Sequence, residues 1–350
     1  MIRFESVSKV YDDGTRAVDG LSFDVPAGSL LALVGPSGCG KTTSLRMINR
    51  LIDATSGTIA LDDIDVLSTD RVALRRKIGY VIQHAGLFPH RTVVDNVAAL
   101  PRLLGGDRKA TRTRALELLE LVGLDERFAH RYPWQLSGGQ QQRVGVARAL
   151  ATDPPYLLMD EPFSAVDPIV RAQLQDEFLR LQAEIGKTIV MVTHDIDEAL
   201  KLGDRVAVLR TGGVLAQLGT PLELLTAPVD DFVADFIGGA RGYRALGFAG
   251  LAGDAALAPE SPIRMGETAT EGWTIVVDDA GRPRGWVEGG TATADALLTT
   301  ARFLPRTASL RDLLDGALAA PAGRVGVVDE RGVLVGSLTA AAVLSAERAA

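Results

Sequence analysis

The chain has 350 residues, 47% of them apolar, with a formal net charge of −7 and a sequence pI near 5.3. That is enough apolar material for two or more domains, and the acidic total excludes nucleic acid as an expected partner. Cys39 is the single cysteine, which excludes an intrachain disulfide or thiolate metal cluster and points to a reduced, cytosolic compartment; with no leader-like start and no run of 18 apolar residues, any membrane role is expected to come through a partner.

Residues 2 to 34 alternate short apolar runs with turns. Ile2 to Val7 and Leu21 to Val25 read as strands, separated by Asp12-Asp13-Gly14 and followed by Pro26-Ala27-Gly28, which predicts a small mixed sheet. Tyr11, just before the first turn, offers an aromatic face on which an adenine ring can stack, and it reads equally well as a half-buried strand tyrosine. The apolar run Leu30 to Val34 then leads into Gly35-Pro36-Ser37-Gly38-Cys39-Gly40-Lys41-Thr42-Thr43, and residues 44 to 49 read as helix. Two glycines separated by four residues and followed by Lys and Thr, between a strand and a helix, are the phosphate-loop pattern. The glycines allow a turn whose N–H groups face one anion, Lys41 reaches the outer phosphates, and the Thr42 hydroxyl can ligate Mg²⁺.

Further strands are expected over residues 57 to 61 and 78 to 82. Gln83 ends the second; a Gln there can bind both a metal-bound water and a mobile loop, and it is also an ordinary strand terminus. Residues 86 to 150 are mostly helical in pattern and read as an inserted subdomain. Near its end, Ser137-Gly138-Gly139-Gln140 combines a good N-cap with two glycines at a helix start, which leaves N–H groups open to an anion.

This stretch and the phosphate loop together resemble the signature pairing of ATP-binding cassette (ABC) ATPases. The resemblance implies an α/β fold with a P-loop NTPase core, an antiparallel β subdomain and an inserted helical subdomain, and it implies ATP and Mg²⁺ as cofactors. The remaining motifs follow in order. Tyr156 to Met159 is an apolar strand ending in Asp160, which resembles the Mg²⁺-holding aspartate, and Glu161, which resembles the carboxylate that polarises the attacking water. Ser164-Ala165-Val166-Asp167 resembles the loop through which two subunits' sites communicate, with Val166 where the family more often has Leu. His194, after the apolar run 189 to 192, resembles the histidine that contacts the γ-phosphate. The implied site is therefore catalytic Glu161, His194 and Gln83; nucleotide-binding Tyr11 and Gly35 to Thr43; Mg²⁺ at Thr42, Gln83 and Asp160; and Ser137, Gly138, Gly139, Gln140 and Asp167 reaching the nucleotide of a second copy in a dimer.

Within the superfamily, Met47 to Leu51, Arg75 to Gln83 and Gly86 to His90 resemble the ATPase subunits of importers for glycine betaine, choline, carnitine and proline, over residues 1 to about 240. That implies a peripheral subunit at the cytoplasmic membrane face, partnered by permease subunits and indirectly by a solute-binding protein. His84 stands where those proteins commonly have Gln, in the stretch expected to touch the permease. A soluble ABC ATPase of translation or DNA repair is the alternative, but the second cassette or long coiled-coil insertion usual there is missing.

Beyond residue 240 the composition shifts to Ala and Gly, with a linker expected over 241–262 and a small α+β domain over 263–350. Val276-Val277-Asp278-Asp279-Ala280-Gly281 recurs as Val327-Val328-Asp329-Glu330-Arg331-Gly332, with Gly285 answered by Gly336. With helices expected over 309 to 319 and 339 to 347, this resembles a degenerate pair of cystathionine β-synthase (CBS) domains. Ala342 stands where adenosine-binding copies usually have Asp, so the expected role is dimerisation or spacing.

Overall fold

The computed structural model describes the chain except residues 84, 165, 252, 254–256 and 348–350; His84 and Ala165 therefore lie outside the described residues. The chain divides into two compact units, Met1–Ile237 and Gly238–Ala350.

In the first unit, β1 (Ile2–Val10), β2 (Arg16–Val25), β4 (Ser56–Leu61) and β5 (Ile64–Asp65) form a four-stranded antiparallel sheet in the order β2-β1-β4-β5. The expected strand Leu21 to Val25 is only the second half of β2, because pairing with β1 carries the ladder across the polar residues back to Arg16. The other sheet contains β3 (Leu30–Val34), β6 (Ile78–Val81), β7 (Tyr156–Asp160), β8 (Thr188–Val192), β9 (Arg205–Arg210) and β10 (Val214–Gly219) in the order β10-β9-β3-β8-β7-β6. Its strands are parallel except the β9–β10 hairpin. β3, β7 and β8 are buried at every residue, which explains why they are unbroken apolar runs and not alternating ones. One apolar core joins the two sheets: Ile2, Phe4 and Phe23 of the first share it with Leu31, Leu158 and Val190 of the second and with Leu45 and Ile48 of the helix Lys41–Ile48.

The helical stretch comprises helices Val93–Val97, Ala99–Leu103, Arg108–Leu121 and Gly138–Leu150. Arg108–Leu121 starts where the Asp107 carboxylate accepts from the N–H groups of Lys109 and Ala110, and it buries Thr111, Ala115, Leu118 and Leu119 at helical spacing. The long helix Pro168–Ile185, which the sequence reading did not delimit, connects β7 to β8.

In the second unit the repeat is reproduced bond for bond. β12 (Thr268–Val277) and β13 (Pro283–Thr291) form one hairpin, and β15 (Arg324–Val328) and β16 (Leu334–Thr339) another; the short β11 (Ile263–Arg264) and β14 (Phe303–Pro305) lie parallel to the first strand of each. The Asp278 carboxylate accepts from the N–H groups of Ala280 and Arg282, as that of Asp329 does from Arg331 and Val333. Extended segments ahead of β11 and β14 are exchanged: Ala258 forms a two-bond bridge with Ser337 of the second hairpin, and Leu298 one with Trp286 of the first. Only the second copy has a helix, Leu310–Ala319, between its short strand and its hairpin. In the first copy, Met265, Gly266 and Glu267 make that connection. Residues 241–262, which composition marks as linker, contain the helix Arg241–Ala245 and place Leu246 in the same core as Leu310, Leu313 and Val325.

Candidate functional site

Strands β3, β8, β7 and β6 are neighbours and run the same way, so the loops after them leave the sheet along one edge, where ligands of parallel α/β sheets bind. After β3 the backbone turns through Gly35 (φ 151°) and Gly40 (φ 90°). A Cβ on Gly35 would lie 2.3 Å from the Leu209 carbonyl oxygen, and one on Gly40 would lie 2.2 Å from that of Ala17, so both contact and dihedral require glycine. Ser37 and Gly38 at the loop's tip are exposed, while Cys39 is buried beneath it. Burial raises the Cys39 thiol above its ordinary pKa, so it sits there as a small neutral side chain.

Lys41 opens the helix Lys41–Ile48 and is only 7% exposed. Its side-chain nitrogen donates to the carbonyls of Gly35 (2.8 Å) and Pro36 (3.1 Å), which holds it against the loop. Thr42 donates from Oγ1 to Asp160 Oδ1 at 2.9 Å. The other oxygen of Asp160 faces the Tyr80 hydroxyl (3.4 Å) and the Arg46 guanidinium (3.8 Å). Burial and, secondarily, the Asp160 charge push the Tyr80 hydroxyl's pKa up, so Tyr80 remains a donor to that carboxylate.

Glu161 follows Asp160 at the end of β7 with φ 48°, a left-handed conformation unusual for a residue with a side chain, and its N–H donates to the Val192 carbonyl of the neighbouring strand. Its carboxylate accepts from Gln83 Nε2 at 2.8 Å and lies 3.3 Å from His194 Nδ1. Two residues that follow the strands neighbouring β7, Gln83 and His194, thus converge on the carboxylate of a third, Glu161, which is 20% exposed, while His194 remains 59% exposed.

Residues 18–164 match the ABC transporter family. The chain is 52% identical over 241 residues to the glycine betaine/carnitine/choline transport ATP-binding protein OpuCA of Bacillus subtilis, a match covering 69% of this chain and 63% of the relative. It is 46% identical over 303 residues to the osmoprotectant import ATP-binding protein OsmV of Salmonella typhimurium, covering 82% of this chain and 79% of the relative. The chain belongs to the ATP-binding subunits of ABC transporters. A dimeric ABC cassette solved in a post-hydrolysis state with ADP and Pi is similar in fold, with a TM-score of 0.57 at 37% identity, covering 63% of this chain and 99% of that one. The match to OsmV takes in more of the chain than the first unit's 237 residues and so extends into the second.

In this ABC cassette the residues Ser137 to Gln140 bond to one another at a helix start. Ser137 caps the helix Gly138–Leu150: its Oγ accepts from Gln140 N–H at 3.3 Å, and Gln140 Oε1 accepts from Ser137 N–H at 3.0 Å. Ser137 and Gly138 are exposed, Gly139 is buried and Gln140 is half-buried. The Asp167 carbonyl accepts from Arg171 N–H at 2.7 Å. Tyr11 is 38% exposed, with the Lys9 ammonium 5.3 Å from its ring. Gln83 is joined to Glu161 rather than to Thr42 or Asp160.

Sequence reasoning missed Tyr80 and Arg46, which hold the second oxygen of Asp160. Arg46 stands four residues after Thr42 on one helix, a spacing that places both on the same face, and this was the available signal. It also missed Arg171. Its guanidinium donates to the Val166 carbonyl at 3.1 Å and lies 3.7 Å from the Asp195 carboxylate, linking the loop before Asp167 to the residue after His194. No sequence pattern announces such a pairing across 24 residues.

Proposed function

We propose that the chain hydrolyses ATP to drive an importer for a quaternary-ammonium or osmolyte-like solute. The observation that carries the reading is the convergence of Gln83 and His194 on Glu161, one residue from the Thr42–Asp160 pair. The Gly35-to-Thr43 loop and Lys41 would bind the phosphates, and Tyr11 would stack on the base. Thr42, Asp160 and the Gln83 amide oxygen offer the hard oxygen donors that Mg²⁺ prefers, and Mg²⁺ bound there would neutralise phosphate charge. Glu161 would orient water and accept its proton, and His194 would contact the γ-phosphate. Most of the acceleration would come from positioning and from charge stabilisation.

Exposed Ser137 and Gly138 support a dimer with two shared sites, in which each signature faces the phosphate loop of the other copy; ATP binding closes the dimer and hydrolysis reopens it. A groove of about 500 Å³ lined by Tyr80, Phe88, Arg91, Leu103 and Arg148 suits a permease, and Leu103 is 81% exposed at its rim. Among the described residues no helix is long and apolar enough to cross a membrane, so attachment to the cytoplasmic face would be through that permease. A solute-binding protein would act on its far side. The names of the relatives support the solute class, and the chain spans 63% of the length of OpuCA. The motifs around Glu161 support the nucleotide domain over 1–240 with its helical subdomain at 86–150, and the repeat supports a degenerate tandem domain over 263–350. Glu161→Gln keeps the hydrogen-bonding shape and removes the base. It should lower ATP turnover by roughly 10²- to 10⁴-fold while ATP binding persists; a wild-type rate would overturn the catalytic assignment.

A further inference from the structure

Three residues before Ser137 the chain exposes a tryptophan. Trp134 is 72% exposed, the most exposed aromatic side chain among those described as exposed. It lies in the single turn Pro133–Gln135, and its ring is stacked on Tyr132, with centroids 6.1 Å apart and planes 11° from parallel. The turn is fastened on both sides. Tyr132 N–H donates to Gln135 Oε1 at 2.8 Å, and Gln141 Nε2, from the first turns of the signature helix, donates to the Pro133 and Leu136 carbonyls at 3.1 and 3.3 Å. Pro133 and Leu136 are buried on either side of the exposed ring. Trp134 is thus a flat apolar surface, locked to the same hydrogen-bonded unit as Ser137 and facing solvent. A large aromatic held rigid but uncovered suits a partner with a π-face, because little side-chain freedom is left to lose on stacking.

We propose that Trp134, backed by Tyr132, stacks on the base of a nucleotide whose phosphates are held by the phosphate loop of a second copy of this chain. The inference rests on the shared-site reading above and adds a base-contacting residue from the copy that supplies the signature. The nucleotide is then gripped at its base from both subunits, by Tyr11 of one and Trp134 of the other. Stacking is tolerant of base identity but stronger for purines, so the contact would favour purine over pyrimidine triphosphates.

The test uses the full chain carrying Glu161→Gln to hold the ATP-bound state, with acrylamide quenching of tryptophan emission and a Trp134→Phe variant as the blank. Trp286 is fully buried and Trp273 half-buried, and the Trp134→Phe blank subtracts the signal of both. Mg-ATP should shield Trp134 while producing a dimer by sedimentation, and ADP at concentrations that leave the chain monomeric should not shield it. Trp134→Ala should raise the ATP concentration needed for half-dimerisation about tenfold, the equivalent of ~1.4 kcal/mol. It should erase the preference for ATP and GTP over CTP and UTP, and Trp134→Tyr should restore it; unchanged ADP binding by the Ala variant shows that its own phosphate loop is intact. If the dimer forms but Trp134 stays quenchable, or the Ala variant dimerises at the wild-type ATP concentration, the proposal falls and the shared site stands. Shielding with no loss of base preference in Trp134→Ala places the indole against protein instead of base and also overturns it. Failure to dimerise at any ATP concentration sinks the shared-site reading, and this inference with it.

Discussion

Around Thr42 and Glu161, side chains from one helix and the ends of three strands meet through hydrogen bonds that span up to 118 residues of sequence. Around Ser137 the bonds run within a few residues: Ser137 and Gln140 cap each other, and Gln141 holds the preceding turn. One half of the candidate site is knitted into the sheet edge and assembled within one chain. The other is a rigid local presentation with its outward side uncovered. The difference teaches that a part can be pre-organised either by long-range bonds across a sheet edge or by local bonds within one turn, and that only the second kind leaves a face uncovered.

The strongest way to break this comparison is complementation. Lys41→Ala removes the charge from the knitted half, and Ser137→Arg blocks the presented half, so each variant alone should lose nucleotide occlusion almost entirely. In a mixed dimer one site carries both defects, while the other joins an intact loop to an intact signature. Occlusion of about one nucleotide per two dimer sites is the expected outcome by filter binding. Proven heterodimers that occlude nothing would mean that the two halves do not meet across copies.

A smaller effect is expected at Arg171, which ties Val166 to Asp195, the residue after His194. Arg171→Met keeps most of the side-chain length and removes a charged donor, a change worth roughly 1.5–3 kcal/mol for such a bond. If the link positions His194, ATP turnover falls about tenfold at unchanged ATP affinity. Equal turnover would confine Arg171 to packing.

The smallest effect concerns Glu198, buried on the helix Ile196–Leu202 with Gln175 Nε2 3.2 Å from its carboxylate. Burial raises its pKa above the ordinary 4.5, with Asp195 adding to the rise and Thr193, Gln175 and Arg171 opposing it. The folded chain therefore keeps a proton that the unfolded chain releases. Stability from this group is full below the unfolded pKa and is lost as pH rises towards the folded one. Glu198→Gln should raise the first unit's thermal midpoint by about 2–4 °C at pH 8, the shift that ~1 kcal/mol gives a domain of its size, and by much less at pH 4. A shift independent of pH in calorimetry would refute the charged-burial account.

The sequence by itself determined the buried parallel strands, because a strand covered on both faces must be apolar throughout, and it determined the phosphate loop, because Gly35 and Gly40 occupy positions where any Cβ would collide with backbone. It also contained the repeat of the second unit, since the Asp carboxylate of each of the two turns makes its bonds within five residues. Local interactions leave local patterns. Only the tertiary structure decided that Gln83 and His194 both reach Glu161, that Tyr80 and Arg46 hold Asp160, that Arg171 bridges Val166 and Asp195, and that Ala258 and Leu298 cross to each other's hairpins. These contacts depend on the order and register in which distant strands pair, and that arrangement is set by the packing of the whole sheet and not by the spacing of residues along the chain.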